Sequence, residues 1–464
     1  MHRENSEAKA MKTRSPRPWT TVTSISVLLV SFIAAAPVRP AAAQVGDAVT
    51  AWNVNAGVAA TAACLAPLNN PLHESRMFAI MHVAVHDAVN AIDRRSRPYA
   101  FEAEAVPSAS LDAAVAAAAR DVLVSLIAQL PLELHSQACI DAGVASVEAA
   151  HAAALAAIPN GQAKVDGVAV GQAAAAAILA LRANDGAVGP FLNFACPQDT
   201  QPGEYQCTPG TPFVVFEVWE NVVPFVLNHS SQYRPGPPNR VDTKKYAGEF
   251  NEVKAFCGDD VTTPSARTPE QTEIALYWVE NSPLKWNRIA RTISFDRGLD
   301  LWENARLFGL LNMALADGYV AMVDSKNHYN YWRPITAIRT ADTDGNPDTT
   351  VDPTWTPLVP TPPNQDYVSG HSIEGGAAAE VLKQFFHTDH IGFEDCSLTL
   401  PAGSTCNDTA PVLRSYTSLS QAAAENAYSR ILVGFHFRES IQEGIKYGGK
   451  IGQRAVNLYL RPVQ

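Results

Sequence analysis

At 464 residues the chain has room for two or three average domains or one large helical one, and a 47% hydrophobic share supplies a sizeable core. The formal net charge is −11. A chain this acidic is a poor candidate for nucleic-acid binding, and any local cluster of Lys and Arg in it is conspicuous.

At the start of the chain Lys9, Lys12, Arg14 and Arg17 precede an apolar run at 25–36, and Ala41, Ala42 and Ala43 follow before Gln44. That order reads as a secretory signal peptide over 1–43, with Met11 an alternative start. A membrane anchor needs roughly 18 or more apolar residues, more than this run has. No later stretch is read as a bilayer span, so the mature protein is expected to be soluble and secreted or periplasmic. Residues 1–43 hold six basic and two acidic residues, so without them the net charge moves from −11 to −15.

All seven cysteines, Cys64, Cys139, Cys196, Cys207, Cys257, Cys396 and Cys406, lie beyond that leader. Export makes disulfides plausible. Cys196 with Cys207 and Cys396 with Cys406 each bracket a loop with Pro or Gly, and Cys64 with Cys139 would tie two helices. Spacing does not prove connectivity, and an odd count leaves one thiol free.

From Val45 to Asp93 apolar residues recur at helical steps. His82 and His86 share one helical face beside Asp87. With no third ligand evident, they are read as packed, hydrogen-bonded histidines rather than a metal pair. Residues 107–185 are Ala-rich and broken at Leu130-Pro131 and Pro159-Asn160-Gly161, which predicts two or three long, closely packed helices. Pro and Gly then crowd 186–240. The division drawn here is an N-terminal helical half, 44–200, and a C-terminal half, 201–464. Helices resume near Val241, again at Pro269, and over 299–322. Asp342 to Asp348 resembles the opening of a calcium loop but has no Glu near its twelfth position, and is read as a solvated turn. His387 and His390 are expected at the surface.

Three stretches of the last third carry the chemistry. Lys326 stands seven residues before Arg333, across an aromatic run, Tyr329, Tyr331 and Trp332, that should end the helix before Pro334. Ser369-Gly370-His371 follows an extended Pro-rich segment and opens a helix, where free amides and the helix dipole favour an anion; an isolated Ser there would merely cap. Ser429-Arg430 precedes Gly434 and His436. Read as one helix, Arg430 and His436 stand about 120° apart, so Arg430 must reach around. Arg forks match two oxygens of one oxyanion and Lys acts as a mobile point charge. This inventory suits a tetrahedral oxyanion, phosphate or vanadate, held beside a nucleophilic or ligating imidazole.

These motifs, in this order, resemble the signature of the phosphatidic acid phosphatase and vanadium haloperoxidase superfamily. Residues 332–339, 267–271, Ala316-Asp317 and 82–92 are similar to its vanadium-dependent haloperoxidase branch, so the resemblance covers most of the chain after the leader. It implies an all-α fold of two helical bundles with the site in the C-terminal one, and vanadate as cofactor. His436 would ligate vanadium. Lys326, Arg333, Arg430, Ser369 and Gly370 would hold the oxygens, and His371 would be the acid/base. Hydrogen peroxide and halide would be the substrates, with Lys326 polarising the peroxide; a small organic acceptor and a homo-oligomer are compatible. Val368 replaces a Pro common in relatives. Val323 and Asn364 depart from the aromatic residues of chlorinating relatives and, at Asn364, from the His of brominating ones, which leaves bromide or iodide favoured. Glu280 is the expected carboxylate partner of Arg430. The competing readings are a secreted acid phosphatase acting through a phosphohistidine at His436 and a non-catalytic oxyanion binder, which would need a catalytic group lost from the motifs.

Overall fold

Thirteen α-helices account for nearly all the regular structure of the described residues. The computed structural model describes residues 46–198 and 200–463, so the leader read over 1–43 lies outside them. Five helices come first: α1 (Ala48–Ala62), α2 (Pro71–Ile92), α3 (Leu111–Ala128), α4 (Gln137–Ala157) and α5 (Gln162–Arg182). Local chemistry sets their starts. Asp47 and Thr50 form a reciprocal capping box on α1, Asn70 caps α2 before Pro71, and Ser110 and Ser136 cap α3 and α4. The Ala-rich stretch forms three helices, α3 to α5, separated at the two breaks read in the sequence. After an irregular segment follow α6 (Lys244–Phe256), α7 (Pro269–Tyr277), α8 (Ser282–Arg297), α9 (Leu301–Tyr329), α10 (Pro334–Arg339), α11 (Gly370–Phe386), α12 (Leu419–Leu432) and α13 (Arg438–Leu458). The β structure is minor: antiparallel β1 (Leu192–Asn193) pairs with β2 (Val214–Val215), and β3 (Phe393–Asp395) with β4 (Arg414–Tyr416).

Helix α9 is the axis of the molecule. A capping box of Asp300 and Glu303 starts it, and Asn330, in the left-handed region at φ 45°, ends it. It packs against α2 on one side and α11 and α13 on the other. Its Asp317 is buried and accepts the amides of Phe225, Val226 and Leu227 at 2.6, 2.7 and 2.8 Å, so one carboxylate pins the irregular connector to the core.

By length and hydropathy alone α4, α5 and α9 are long and apolar enough to cross a membrane, although none of them was read as a span in the sequence. In α9 the qualifying window is wholly enclosed by protein, whereas only 17% and 28% of the windows in α4 and α5 are buried.

Disulfides join Cys196 to Cys207 and Cys396 to Cys406, the local pairs preferred from the sequence, and Cys64 to Cys139, the tie between helices named there as possible; Cys257 is a buried free thiol. His82 and His86 are both buried: His82 Nε2 is 2.7 Å from the Asn53 amide while its Nδ1 has no partner, and His86 lies 2.9 Å from Asp87 and 2.7 Å from the Ser96 hydroxyl. The 342–348 turn is only partly solvated. Asp344 and Asn346 are buried, with Asp344 accepting from Thr349 and Asn346 donating to the Val241 carbonyl. His387 and His390 are exposed.

One buried acid gives a stability prediction. Glu74 on α2 accepts from the Asn281 amide at 2.7 Å, and burial pushes its carboxyl up to about 8. Its folded pKa lies above its unfolded one, so folding takes up a proton at a cost that grows from about pH 4.5 towards pH 8. Glu74→Gln is therefore expected to stabilise the protein by roughly 3 kcal/mol at pH 7 and by little near pH 4.5. Urea melts at both pH values check this; a pH-independent difference would contradict it.

Candidate functional site

The three motif stretches converge where α9 ends, α11 begins and α12 stops. Each brings its residues there for a local reason. Lys326 occupies the last turn of α9. The chain leaves the helix at Asn330, and Arg333 is the N-cap of α10, in extended conformation. The helix thus ends within the aromatic run, as the sequence suggested.

Ser369 is the N-cap residue of α11, yet its side chain makes no capping bond. The hydroxyl instead accepts from Ser372 at 3.0 Å, so simple capping does not explain this serine. Gly370 is the first residue of α11, where amides have no partner within the helix. A Cβ there would lie 2.6 Å from the Met322 sulfur, so a larger residue would require that side chain to move aside.

Arg430 and His436 are not on one helix, which corrects the expectation that they were. Helix α12 ends at Leu432, and Gly434 turns the chain with φ 90°. The Phe435 and Gly434 amides bond back to the Arg430 and Ile431 carbonyls at 3.1 and 2.8 Å. This glycine-dependent stop reverses the backbone, so Arg430 need not reach around a helix.

Lys326, Arg333, Arg430 and His436 are 2%, 1%, 3% and 4% exposed, and Ser369 is fully buried. His371 alone of the seven predicted residues retains intermediate exposure, which places it on the solvent side. Arg333 Nη1 lies 3.0 Å from His436 Nε2 and donates to the Phe435 carbonyl at 2.8 Å, while its Nε and Nη2 donate to Asn364 at 2.7 and 2.6 Å. Lys326 donates to the main-chain carbonyls of Gln365 and, at 3.2 Å, Asp366. Arg430 donates to the Trp278 carbonyl at 3.1 Å, and its buried Nε has no partner. His371 Nε2 sits 3.1 Å from the Glu280 carbonyl, and the Asn426 amide donates to the His371 carbonyl at 3.0 Å.

The electrostatics follow from crowding cations in a buried place. Burial, then Arg333, hold Lys326 well below its ordinary value; burial and Arg333 also push Arg430 down to about 9. Burial, then Arg333 and Lys326, keep His436 well below 6.5, and burial with Arg430 does the same for His371. Both imidazoles are neutral at pH 7, able to donate a lone pair or accept a proton. Three cations facing each other favour an anion between them, which would relieve their repulsion.

Two partners differ from the sequence reading. Glu280 is not the carboxylate of Arg430: it binds Arg288 at 2.7 and 2.8 Å inside a buried cluster with Asp395 and Lys285. Only its main-chain oxygen serves the site, through His371. The acid that does reach a motif residue is Asp366, whose Oδ1 is 2.8 Å from His436 Nδ1. It is fully buried, two residues before Val368, and nothing in the motif spacing marked it. The lone acid in the Pro-rich stretch 360–368 was the available signal.

Guanidinium, ammonium, hydroxyl and helix-terminal amide donors gathered beside a neutral imidazole are the groups that suit an oxyanion. Comparison with known proteins narrows the class. Residues 306–464 match the family model of the VCPO second helical-bundle domain. The chain is 26% identical over 267 residues to the vanadium chloroperoxidase of Curvularia inaequalis. That match covers 45% of this chain and 43% of the relative, so it spans less than half the relative's length. Among solved structures, a bacterial vanadium-dependent iodoperoxidase superposes with TM-score 0.72 at 24% identity, covering 88% of this chain and 95% of that one. An apo-type bacterial vanadium-dependent chloroperoxidase superposes with TM-score 0.66 at 16% identity, covering 84% and 94%. The resemblance read from the three motifs therefore stands: the chain has the fold of the vanadium haloperoxidases, and residues 306–464 match the model of the VCPO second helical-bundle domain.

Proposed function

We propose that this chain is an exported vanadate-dependent haloperoxidase that oxidises bromide or iodide with hydrogen peroxide. The observation that carries the reading is the buried guanidinium of Arg430, its Nε without a hydrogen-bond partner, near Lys326 and Arg333 and beside a neutral His436. That donor set fits an anionic, tetrahedral vanadate. Lys326, Arg333, Arg430, the Ser369 hydroxyl and the Gly370 amide would hold its oxygens, and His436 Nε2 would donate to the metal. Bound vanadate supplies a Lewis-acidic V(V) centre that activates peroxide towards halide without changing oxidation state.

The chain's own residues manage protons and charge. A main-chain carbonyl can only accept, so the neutral His371 ring carries its proton on Nε2 towards Glu280 and leaves Nδ1 as the base for a peroxide proton. Lys326 polarises the peroxide. Asn364 is committed to Arg333 and Val323 is aliphatic and buried, so neither supplies an aromatic wall for halide; iodide and bromide, more easily oxidised than chloride, are the favoured substrates. Three disulfides suit the oxidising compartment that export implies, and α9, the longest apolar helix, is encased in protein.

Paired assays on one purified apo sample, with and without added orthovanadate, test this function. Peroxide-dependent oxidation of iodide and bromide is expected only with vanadate and is suppressed by phosphate. Hydrolysis of a phosphomonoester, inhibited by vanadate and without halide oxidation, would instead assign the same pocket to a phosphatase acting through His436.

A further inference from the structure

We infer that Asp366 is a positioning residue that turns His436 into a metal ligand, by fixing which ring nitrogen carries the proton; the assignment rests on the vanadate reading above. His436 Nε2 lies 3.0 Å from Arg333 Nη1. A guanidinium only donates, so Nε2 must present its lone pair there. The proton of the neutral ring then resides on Nδ1, which donates to Asp366 Oδ1 at 2.8 Å. The opposite tautomer would set two N–H groups against each other at Arg333 and leave Nε2 without a lone pair for a metal.

Asp366 also ties the ligand to the neighbouring cation. Its main-chain oxygen accepts from Lys326 Nζ at 3.2 Å and from the Ser440 hydroxyl at 3.1 Å, and that hydroxyl lies 3.2 Å from His436 Nδ1. Among the described residues, Asp366 is the only one whose carboxylate bonds to any of the seven motif residues. A carboxylate placed behind a ligating imidazole orients the ring and raises its basicity, and such partners change metal affinity by about 10- to 100-fold.

Two anions separate this role from plain electrostatics. Removing a negative charge beside an anion site should tighten every anion by charge alone. Orthophosphate, held by charge and hydrogen bonds, responds to that term; orthovanadate also needs the His436 lone pair. Dissociation constants of both anions, measured by calorimetry on the full-length apo protein, are therefore compared for wild type, Asp366→Ala and Asp366→Asn.

Asp366→Ala is expected to weaken vanadate by about 10- to 100-fold while phosphate binds as well as before or better. Asp366→Asn, whose amide oxygen still accepts from Nδ1, should lose less, and Asp366→Ala should cost vanadate nothing further in a His436→Ala background. Equal weakening of both anions would reduce Asp366 to a structural residue, and equal tightening would reduce it to a local charge. A wild type selective for vanadate whose selectivity survives Asp366→Ala overturns the assignment alone. A wild type that binds both anions equally overturns the vanadate reading and the assignment with it.

Discussion

Replacing His371 with alanine is expected to lower peroxide-dependent turnover by about two to four orders of magnitude while orthovanadate still binds. The separation follows from geometry. None of the groups assigned to the oxyanion, Lys326, Arg333, Ser369, Arg430 or His436, uses the His371 ring as a hydrogen-bond partner; the ring is held by the Glu280 carbonyl. Its removal therefore deletes the base and spares the cradle. Burial and Arg430 hold the imidazole well below 6.5, so its proton-accepting form persists into mildly acid solution. An oxyanion bound nearby would offset part of the positive field and move the pKa back up. Turnover and vanadate affinity measured side by side decide the matter. Full activity in the variant would remove His371 from the mechanism, and lost vanadate binding would make it part of the cradle.

Arg430→Met should abolish oxyanion binding without destabilising the ligand-free protein, and the apo melting temperature is expected to stay level or rise. The guanidinium is buried with one main-chain acceptor, an unpaired Nε and the Phe435 ring 4.9 Å from its Cζ, and among the described residues no acid pairs with it. A buried charge without a counter-ion costs several kcal/mol, so an apolar side chain of similar length removes a penalty along with a function. In wild type, vanadate at one hundred times its dissociation constant should add about 2.7 kcal/mol of stability; in the variant that gain should vanish. Thermal unfolding with and without orthovanadate reads both effects. A lower apo melting temperature with the ligand shift retained would mean that Arg430 serves mainly to hold the Trp278 carbonyl.

Most of the motif residues sit at helix ends, and two of those ends were written locally: Asn330 and Pro334 mark the exit from α9, and Ser369-Gly370 opens α11. The stop of α12 before Gly434 was read instead as continuing helix. The Ala-rich helices and their breaks were legible for the same reason, since propensity and Pro/Gly punctuation act over a few residues. What the sequence by itself determined, then, is the helical class and the donor types that suit an oxyanion; the two local disulfide pairs were favoured there, but spacing alone does not fix connectivity.

Long-range packing decided the rest. Which acid would serve which base could not be read: Glu280, expected beside Arg430, is drawn into the buried cluster of Arg288, Lys285 and Asp395, while the unmarked Asp366 meets His436 across 70 residues of chain. The partly buried 342–348 turn and the fully enclosed α9 have the same origin. Burial and ion pairing depend on what other elements bring to the same place, and desolvation makes those distant neighbours, rather than local spacing, the arbiters of which charge is paired.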